Sequence, residues 1–143
     1  MTRVSKENRR ESRLQAVQQL YGCEMRGALA PGTGKDEVTL DAGTQPFACE
    51  LLDAARQNLP KIDSLLSGAL QNWDLRRLGA VDRAVLRLAV AEMLTRLDIP
   101  PAVTINEAIE IARQLATEDS ARFANGVLDR VRKEIGRDPR AVS

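Results

Sequence analysis

The chain has 143 residues and a formal net charge of +1, with 21 Lys and Arg residues against 20 Asp and Glu residues. That length suits one domain with a single core, and a hydrophobic content of 43% is ordinary for a globular protein. No apolar run reaches the roughly 18 residues that a membrane helix needs, and the charged start lacks the apolar segment of a secretion signal. We therefore expect a cytoplasmic protein without membrane contact.

The composition also argues against catalysis and against a metal site. The chain has no histidine, which removes the commonest general base and every Ser-His or Cys-His nucleophile arrangement. Cys23 and Cys49 are the only cysteines, too few for a disulfide framework or for the usual zinc ligand sets. No glycine-rich phosphate loop is present. We expect no enzyme, no cofactor and no metal ion.

From Ser5 to about Arg26 the apolar spacing predicts one amphipathic helix. Its predicted inward face consists of Leu14, Val17, Leu20, Tyr21 and Met25. The first part, residues 1–13, is basic. Its cations are Arg3, Lys6, Arg9, Arg10 and Arg13. A helical projection places these cations on the same half-turn as the apolar residues. Because unpaired guanidinium groups are too costly to bury, we expect the first turns to project beyond the core or to be mobile.

Two interpretations of this basic segment stay open. It can be a frayed tail without a role, or it can grip a polyphosphate, because arginine clusters pair with phosphate oxygens. Tyr21 lies on the same half-turn, where it can be either a core residue or a platform on which a base stacks. The residues alone do not decide between these alternatives.

Residues 27–43 contain Pro31-Gly32-Thr33-Gly34 and little periodicity, which predicts a flexible loop. Thr44 is predicted to cap the next helix, which has Pro46 near its start and continues to Leu59. Pro60 should end this helix and begin another. That next helix is predicted from Lys61 to about Leu70.

A turn or short helix is predicted at Asn72-Trp73-Asp74, with Trp73 as a core residue beneath it and nucleic-acid stacking as a distant alternative. Gly79 precedes a long helix that should continue to about Arg96. Apolar residues cover more than one face of this helix, so we expect it to be central in the fold. Composition favours exposed charges for Asp82, Arg83 and Arg87 in its first turns.

Two amphipathic helices are predicted near the end of the chain. Pro100 and Pro101 bar a helix from continuing into this region from upstream. Thr104, three residues before Glu107, has the spacing of a capping box at the start of the first helix. Residues 117–120 should cap the second, which is predicted to reach Ile135. A glycine within that helix, Gly126, leads us to expect a neighbouring helix that crosses close over it. Every apolar repeat longer than one turn has a period near 3.6, which predicts an all-α fold without a sheet.

Three separated blocks of the sequence carry a family pattern. The first is Arg13-x-x-Ala16-Val17-Gln18-x-Leu20-Tyr21, and the second is Leu78-Gly79-x-Val81-Asp82-Arg83-Ala84-Val85-Leu86-Arg87. The third extends from Ile99 to Val131 and contains Ile105-Asn106-Glu107-Ala108-Ile109-Glu110, Glu118-Asp119-Ser120 and Phe123-x-Asn125-Gly126-Val127-Leu128. In this order they resemble the NusB family of bacterial transcription antitermination factors. The resemblance implies a compact bundle of about six or seven helices, with two helical subdomains in one domain.

The resemblance also implies a function and its residues. Members of the family bind the boxA element of ribosomal RNA operon transcripts together with the ribosomal protein NusE, within the RNA polymerase antitermination complex. By matching position, the implied RNA contacts are Lys6, Arg9, Arg10, Arg13, Tyr21, Arg122 and Phe123. The implied partner contacts are Asp82, Arg87 and Asp119. The alternative is a non-catalytic helical protein-interaction module, which could be a homodimer, without direct RNA binding.

Overall fold

Six α-helices and one short 3₁₀ helix make up the part of the chain that the structure describes. The structure is a computed structural model, and the described residues are 8–27, 29, 43–71 and 73–142. The helices are α1 (Arg9–Met25), α2 (Pro46–Gln57), α3 (Leu59–Leu70), α4 (Ala80–Thr95), α5 (Pro101–Leu115) and α6 (Glu118–Glu134), and the 3₁₀ helix is Leu75–Arg77. No strand occurs in these residues, which confirms the all-α prediction.

Helix α4 is the centre of the bundle, as its apolar residues predict. It contacts each of the other five α-helices. Every residue from Ala84 to Met93 is buried, so the helix is covered on all sides over almost three turns. Helices α5 and α6 pack against each other as a hairpin, and α1 packs against α2. One continuous hydrophobic cluster contains residues from all six helices.

Prolines and short polar residues set most helix boundaries. Pro46, Pro60 and Pro101 lie in the first turns of α2, α3 and α5, where a fixed φ and a missing amide proton suit the helix start. Gly79 precedes α4 as predicted. Thr117 caps α6 by accepting a hydrogen bond from the Ser120 amide at 3.0 Å, which also confirms its predicted role.

Two predicted helix caps are wrong. Helix α5 begins at Pro101, so Thr104 lies inside the helix and is buried, and its hydroxyl donates to Glu92 instead of capping. The proline at the first position is already suited to helical φ, which lets the helix begin three residues before the predicted cap. Helix α2 is preceded by Gln45, and Thr44 accepts a hydrogen bond from Gln19 of α1 at 2.7 Å.

Some sequence predictions fall on residues outside the described part. The predicted helix start at Ser5 and the candidate contact Lys6 lie there, and α1 as described begins after Asn8, whose side chain accepts from the Glu11 amide. Of the predicted loop at residues 27–43, only Gly27, Leu29 and Gly43 are described. None of the described helices is long and apolar enough to cross a membrane.

Gly126 does not lie beneath a crossing helix, contrary to the prediction. It is exposed on α6, and a Cβ atom built there meets nothing within 4 Å. Its position between the apolar residues of α6 indicated burial, but the packed stripe is on the other side of the helix. The residue therefore brings only the conformational cost of a glycine in a helix.

Replacing Gly126 by alanine should raise the free energy of unfolding by about 1 kcal/mol, because alanine is the better helix former and has room at this position. Urea denaturation followed by circular dichroism measures the change. Gly136→Ala is the matched control. That glycine has φ of 77°, so the same substitution should destabilise the protein by about 1 to 2 kcal/mol. A loss of stability in the Gly126 variant would show that the position is tightly packed.

Candidate nucleic-acid interface

Arg13, a predicted RNA contact, lies in the core instead of on a projecting tip. Its side chain is only 8% exposed, and its Nε and Nη2 atoms donate to the two carboxylate oxygens of Glu92 at 2.8 and 2.9 Å. The Glu92 carboxylate, on α4, also accepts from the Thr104 hydroxyl of α5. The expectation that these guanidinium groups would find no buried partner is therefore wrong for Arg13. Its hydrogen bonds hold α1 against α4.

Arg10 is exposed at the start of α1. Its side chain is 71% exposed, and its Nε and Nη2 atoms donate to the carboxylate of Glu107 on α5, both at 3.0 Å. The pair is bidentate, the geometry in which guanidinium and carboxylate bind most strongly. Helix α1 therefore begins with a cation at the surface whose charge is already matched by a neighbouring helix.

Arg9 is exposed next to Arg10 but has different neighbours. Its guanidinium carbon lies 5.0 Å from the centre of the Phe47 ring, and Arg13 and Arg96 also approach this ring, at 5.4 and 5.1 Å. Such contacts attract a cation to the face of an aromatic ring. Among the residues that the structure describes, no carboxylate lies within ion-pair distance of Arg9. Its charge nevertheless acts on the Asp98 carboxylate and helps to lower the pKa of that group.

Tyr21 is at the surface of α1, which differs from its predicted place on the inward face. Its side chain is 39% exposed, and Gln18 and Met25, one turn away on either side, are exposed too. These three residues form a stripe along α1 that faces away from the core. The ring is therefore not part of the hydrophobic core, and a ring that is only partly covered is able to stack on a base.

The two arginines near the start of α4 are not solvated, which corrects the interpretation that composition favoured. Arg87, a predicted partner contact, is mostly buried and donates two hydrogen bonds to Asp63 of α3, at 2.9 and 3.0 Å. Arg87 also pairs with Glu24 of α1 at 3.5 Å, and Arg83 binds the same glutamate. This network joins α1, α3 and α4, so Arg87 is held inside the fold.

Asp82, Asp119 and Phe123 meet at one open pocket between the starts of α4 and α6. The pocket has a volume of about 300 Å³. Its lining consists of Trp73, Arg77, Leu78, Gly79, Asp82, Asp119, Ser120 and Phe123. The structure thus brings together residues that the resemblance assigns to two different partners, RNA for Phe123 and protein for Asp82 and Asp119. Arg122 lies beside them, exposed and paired with Asp119 at 2.7 Å.

Trp73 belongs to this pocket and is not the core residue that the sequence predicted. It is 60% exposed, and its ring meets Phe123 edge to face, with the centroids 6.3 Å apart and the planes at 71°. The two rings and Arg77 are part of the lining of this pocket. A tryptophan in a short polar turn can be buried or exposed, and nothing in the local sequence distinguishes the two.

No metal-binding arrangement was found in the described residues. Within 8–27, 29, 43–71 and 73–142 there is no group of three or more His, Cys, Asp or Glu residues placed to hold an ion. Cys23 and Cys49 form no disulfide bond within this described part of the chain. Carboxylates near the basic start, such as Glu92 and Glu107, instead bind arginines. The Arg96 guanidinium, for example, lowers the pKa of Asp98 to about 2 through a hydrogen bond.

Fold and surface together define an all-helical module that carries cationic and aromatic side chains on its surface. A family model described as the NusB family matches residues 10–133. The chain belongs to this family.

Individual relatives and solved structures agree with this assignment. The chain is 37% identical over 132 residues to the transcription antitermination protein NusB of Chloroherpeton thalassium, a match that covers 90% of this chain and 63% of that relative's length. T. maritima NusB has 40% identity and a TM-score of 0.76, with 90% of this chain and 93% of that chain covered. A NusB structure in complex with NusE and dsRNA has 26% identity and a TM-score of 0.70, with 88% and 96% covered.

Proposed function

We propose that this chain is a transcription antitermination factor that binds boxA-type RNA of ribosomal RNA operon transcripts together with the ribosomal protein NusE. The observation that carries the proposal is the likeness, over 88% of the chain, to a NusB solved with NusE and dsRNA. The role we assign is binding and not catalysis. It places the chain in the cytoplasm, as part of the RNA polymerase antitermination complex.

The RNA-binding surface in this proposal begins on α1. Arg9 supplies a cation without a carboxylate partner among the described residues, and Tyr21 supplies a partly exposed ring on the same helix. Arg10 is a further contact at the surface, although Glu107 occupies two of its donors. We assign Arg13 to holding α1 in place, because its guanidinium group is buried on Glu92. Lys6 keeps its proposed role but lies outside the described residues.

The pocket lined by Trp73 and Phe123 is the second part of the proposed surface. Phe123 and Arg122 are its proposed RNA contacts, and Asp82 and Asp119 are the proposed contacts with NusE. Since Asp82, Asp119 and Phe123 line one pocket, and Arg122 pairs with Asp119 beside it, the two partners would meet there. We assign Arg87 to joining helices and not to either partner, because its donors are bound to Asp63 and Glu24.

The test of the proposed function is a titration of the protein into a fluorescently labelled, single-stranded boxA RNA, with and without NusE. Anisotropy should report binding of the RNA, and NusE should increase the affinity. Each phosphate contact with a single strand contributes about −0.7 to the slope of log affinity against log salt. Absence of binding at low salt, both with and without NusE, would contradict the proposal.

Arg9→Ala should reduce the magnitude of that salt slope by about 0.7, because one phosphate contact is lost. Affinity should fall with it at low salt. Lys61→Ala is the matched control, since it removes an exposed cation from α3 and changes the net charge equally. An equal effect of both substitutions would mean that net charge, and not a contact at Arg9, governs binding.

A further inference from the structure

The Arg10–Glu107 pair uses the donors that a phosphate would need. The Nε and Nη2 atoms of Arg10 form the fork that binds a carboxylate or a phosphate through two parallel hydrogen bonds. In this structure both atoms donate to the oxygens of Glu107, at 3.0 Å each. A phosphate that approaches Arg10 must therefore displace Glu107 or accept the poorer geometry of the remaining Nη1 atom.

The two cations that line the cleft beside the pair, Arg10 and Arg113, are both already bound to carboxylates. A cleft of about 320 Å³ lies between α1 and α5, and its lining includes the acidic residues Glu11, Glu107 and Glu110. Arg113, the other cation of this cleft, is itself bound to Glu110 and Glu118. The Glu107 carboxylate is ionised at neutral pH, and the hydrogen bond from Arg10 lowers its pKa further below the ordinary value. A strand that contacts Arg10 is thus close to negative charge.

Arg9 lies next to Arg10 on the same turn of α1 and has different neighbours. It lies over the Phe47 ring, and no described carboxylate is within ion-pair distance. The two neighbouring arginines therefore differ in what they offer an RNA strand. No described carboxylate lies within ion-pair distance of Arg9, whereas both donors of the Arg10 fork are taken up by Glu107.

We propose that Glu107 limits the RNA affinity of this chain by competing with phosphate for Arg10. The inference rests on the proposed RNA-binding function. It assigns Glu107, which is not among the implied or the proposed contact residues, as a residue that sets affinity. The Arg10 side chain is 71% exposed and that of Glu107 is 18% exposed, so a phosphate can reach Arg10 from solvent and compete for its donors. The displaced carboxylate nevertheless stays on α5 beside the strand, where its charge opposes binding.

The test is Glu107→Gln, which keeps the size of the side chain and removes its charge. Titration of the variant into the labelled boxA RNA should show affinity about three- to tenfold higher at low salt, the range expected for one exposed charge interaction. The salt slope should become more negative by at most about 0.7, since Arg10 then contacts a phosphate in a larger share of the complexes. Thermal melting checks that the variant is folded, and Glu107→Ala provides a second variant with the same expected direction.

Glu110→Gln is the matched control. It removes the same charge one turn further along α5, from a carboxylate that is bound to Arg113 and not to α1. Its effect on affinity should stay below about twofold, because the intervening solvent screens more distant charges. A second control places Glu107→Gln in an Arg10→Ala background. The gain should vanish there, since the effect acts through Arg10.

Three results would overturn the inference while the wild-type protein binds the RNA. The first is RNA binding by Glu107→Gln that is unchanged or weaker than that of the wild type. Weaker binding would mean that the glutamate orients Arg10 for the RNA. The second is an equal gain with Glu110→Gln, which would indicate net charge alone. The third is a gain that persists without Arg10. If no variant and no wild-type protein binds, the proposed function fails and this inference fails with it.

Discussion

Glu92→Ala should lower the free energy of unfolding by about 3 to 5 kcal/mol, because it leaves the buried Arg13 guanidinium group without a partner. Both side chains are almost fully buried and their two hydrogen bonds are well formed, at 2.8 and 2.9 Å. The substitution also removes the acceptor of the Thr104 hydroxyl. Urea denaturation followed by circular dichroism measures the loss.

Two further variants test whether the loss of stability comes from the unpaired Arg13 guanidinium group. Arg13→Met combined with Glu92→Leu replaces the pair by apolar side chains and should recover most of the stability, since such replacements of buried pairs are often neutral or stabilising. Arg10→Ala removes an exposed pair three residues earlier on the same helix and should leave unfolding nearly unchanged. A loss below about 1 kcal/mol for Glu92→Ala would contradict the burial of the pair.

Tyr21→Ala should weaken binding of boxA RNA by about 1 to 3 kcal/mol if the ring stacks on a base. The salt slope should change little, because the tyrosine carries no charge that could release counterions. Thermal stability should fall only slightly, since the side chain is partly exposed. Anisotropy titrations at several salt concentrations, with a melting curve for each variant, measure all three quantities.

Tyr21→Phe and Met25→Ala are the controls for this prediction. The phenylalanine keeps the stacking surface and should bind nearly as well as the tyrosine. Met25 is exposed one turn further along the same stripe of α1, and its replacement should not affect RNA affinity. Unaltered binding together with a large loss of stability in Tyr21→Ala would show that the ring belongs to the core.

The sequence by itself determined the helices and most of their boundaries. Pro46 and Pro60 lie in first turns, and Gly79 and Thr117 precede the helices that they were expected to precede. Pro101 marks the predicted boundary, although the helix begins at this proline and not at Thr104. The central place of α4 was also predictable, because apolar residues on several faces need partners on several sides. These features depend on local backbone preferences and on periodicity, which are present in any short stretch of the chain.

Only the tertiary structure decided which charges are buried and which surfaces are open. Arg13 is tolerated in the core because Glu92, 79 positions along the chain, meets it there, and Arg87 meets Asp63 across 24 positions. Periodicity identifies the face of a helix but not the residues opposite that face. For the same reason Trp73 was expected in the core and Gly126 beneath a helix, although both are exposed. Exposure depends on which elements pack over a residue, and the packing of distant helices determines that.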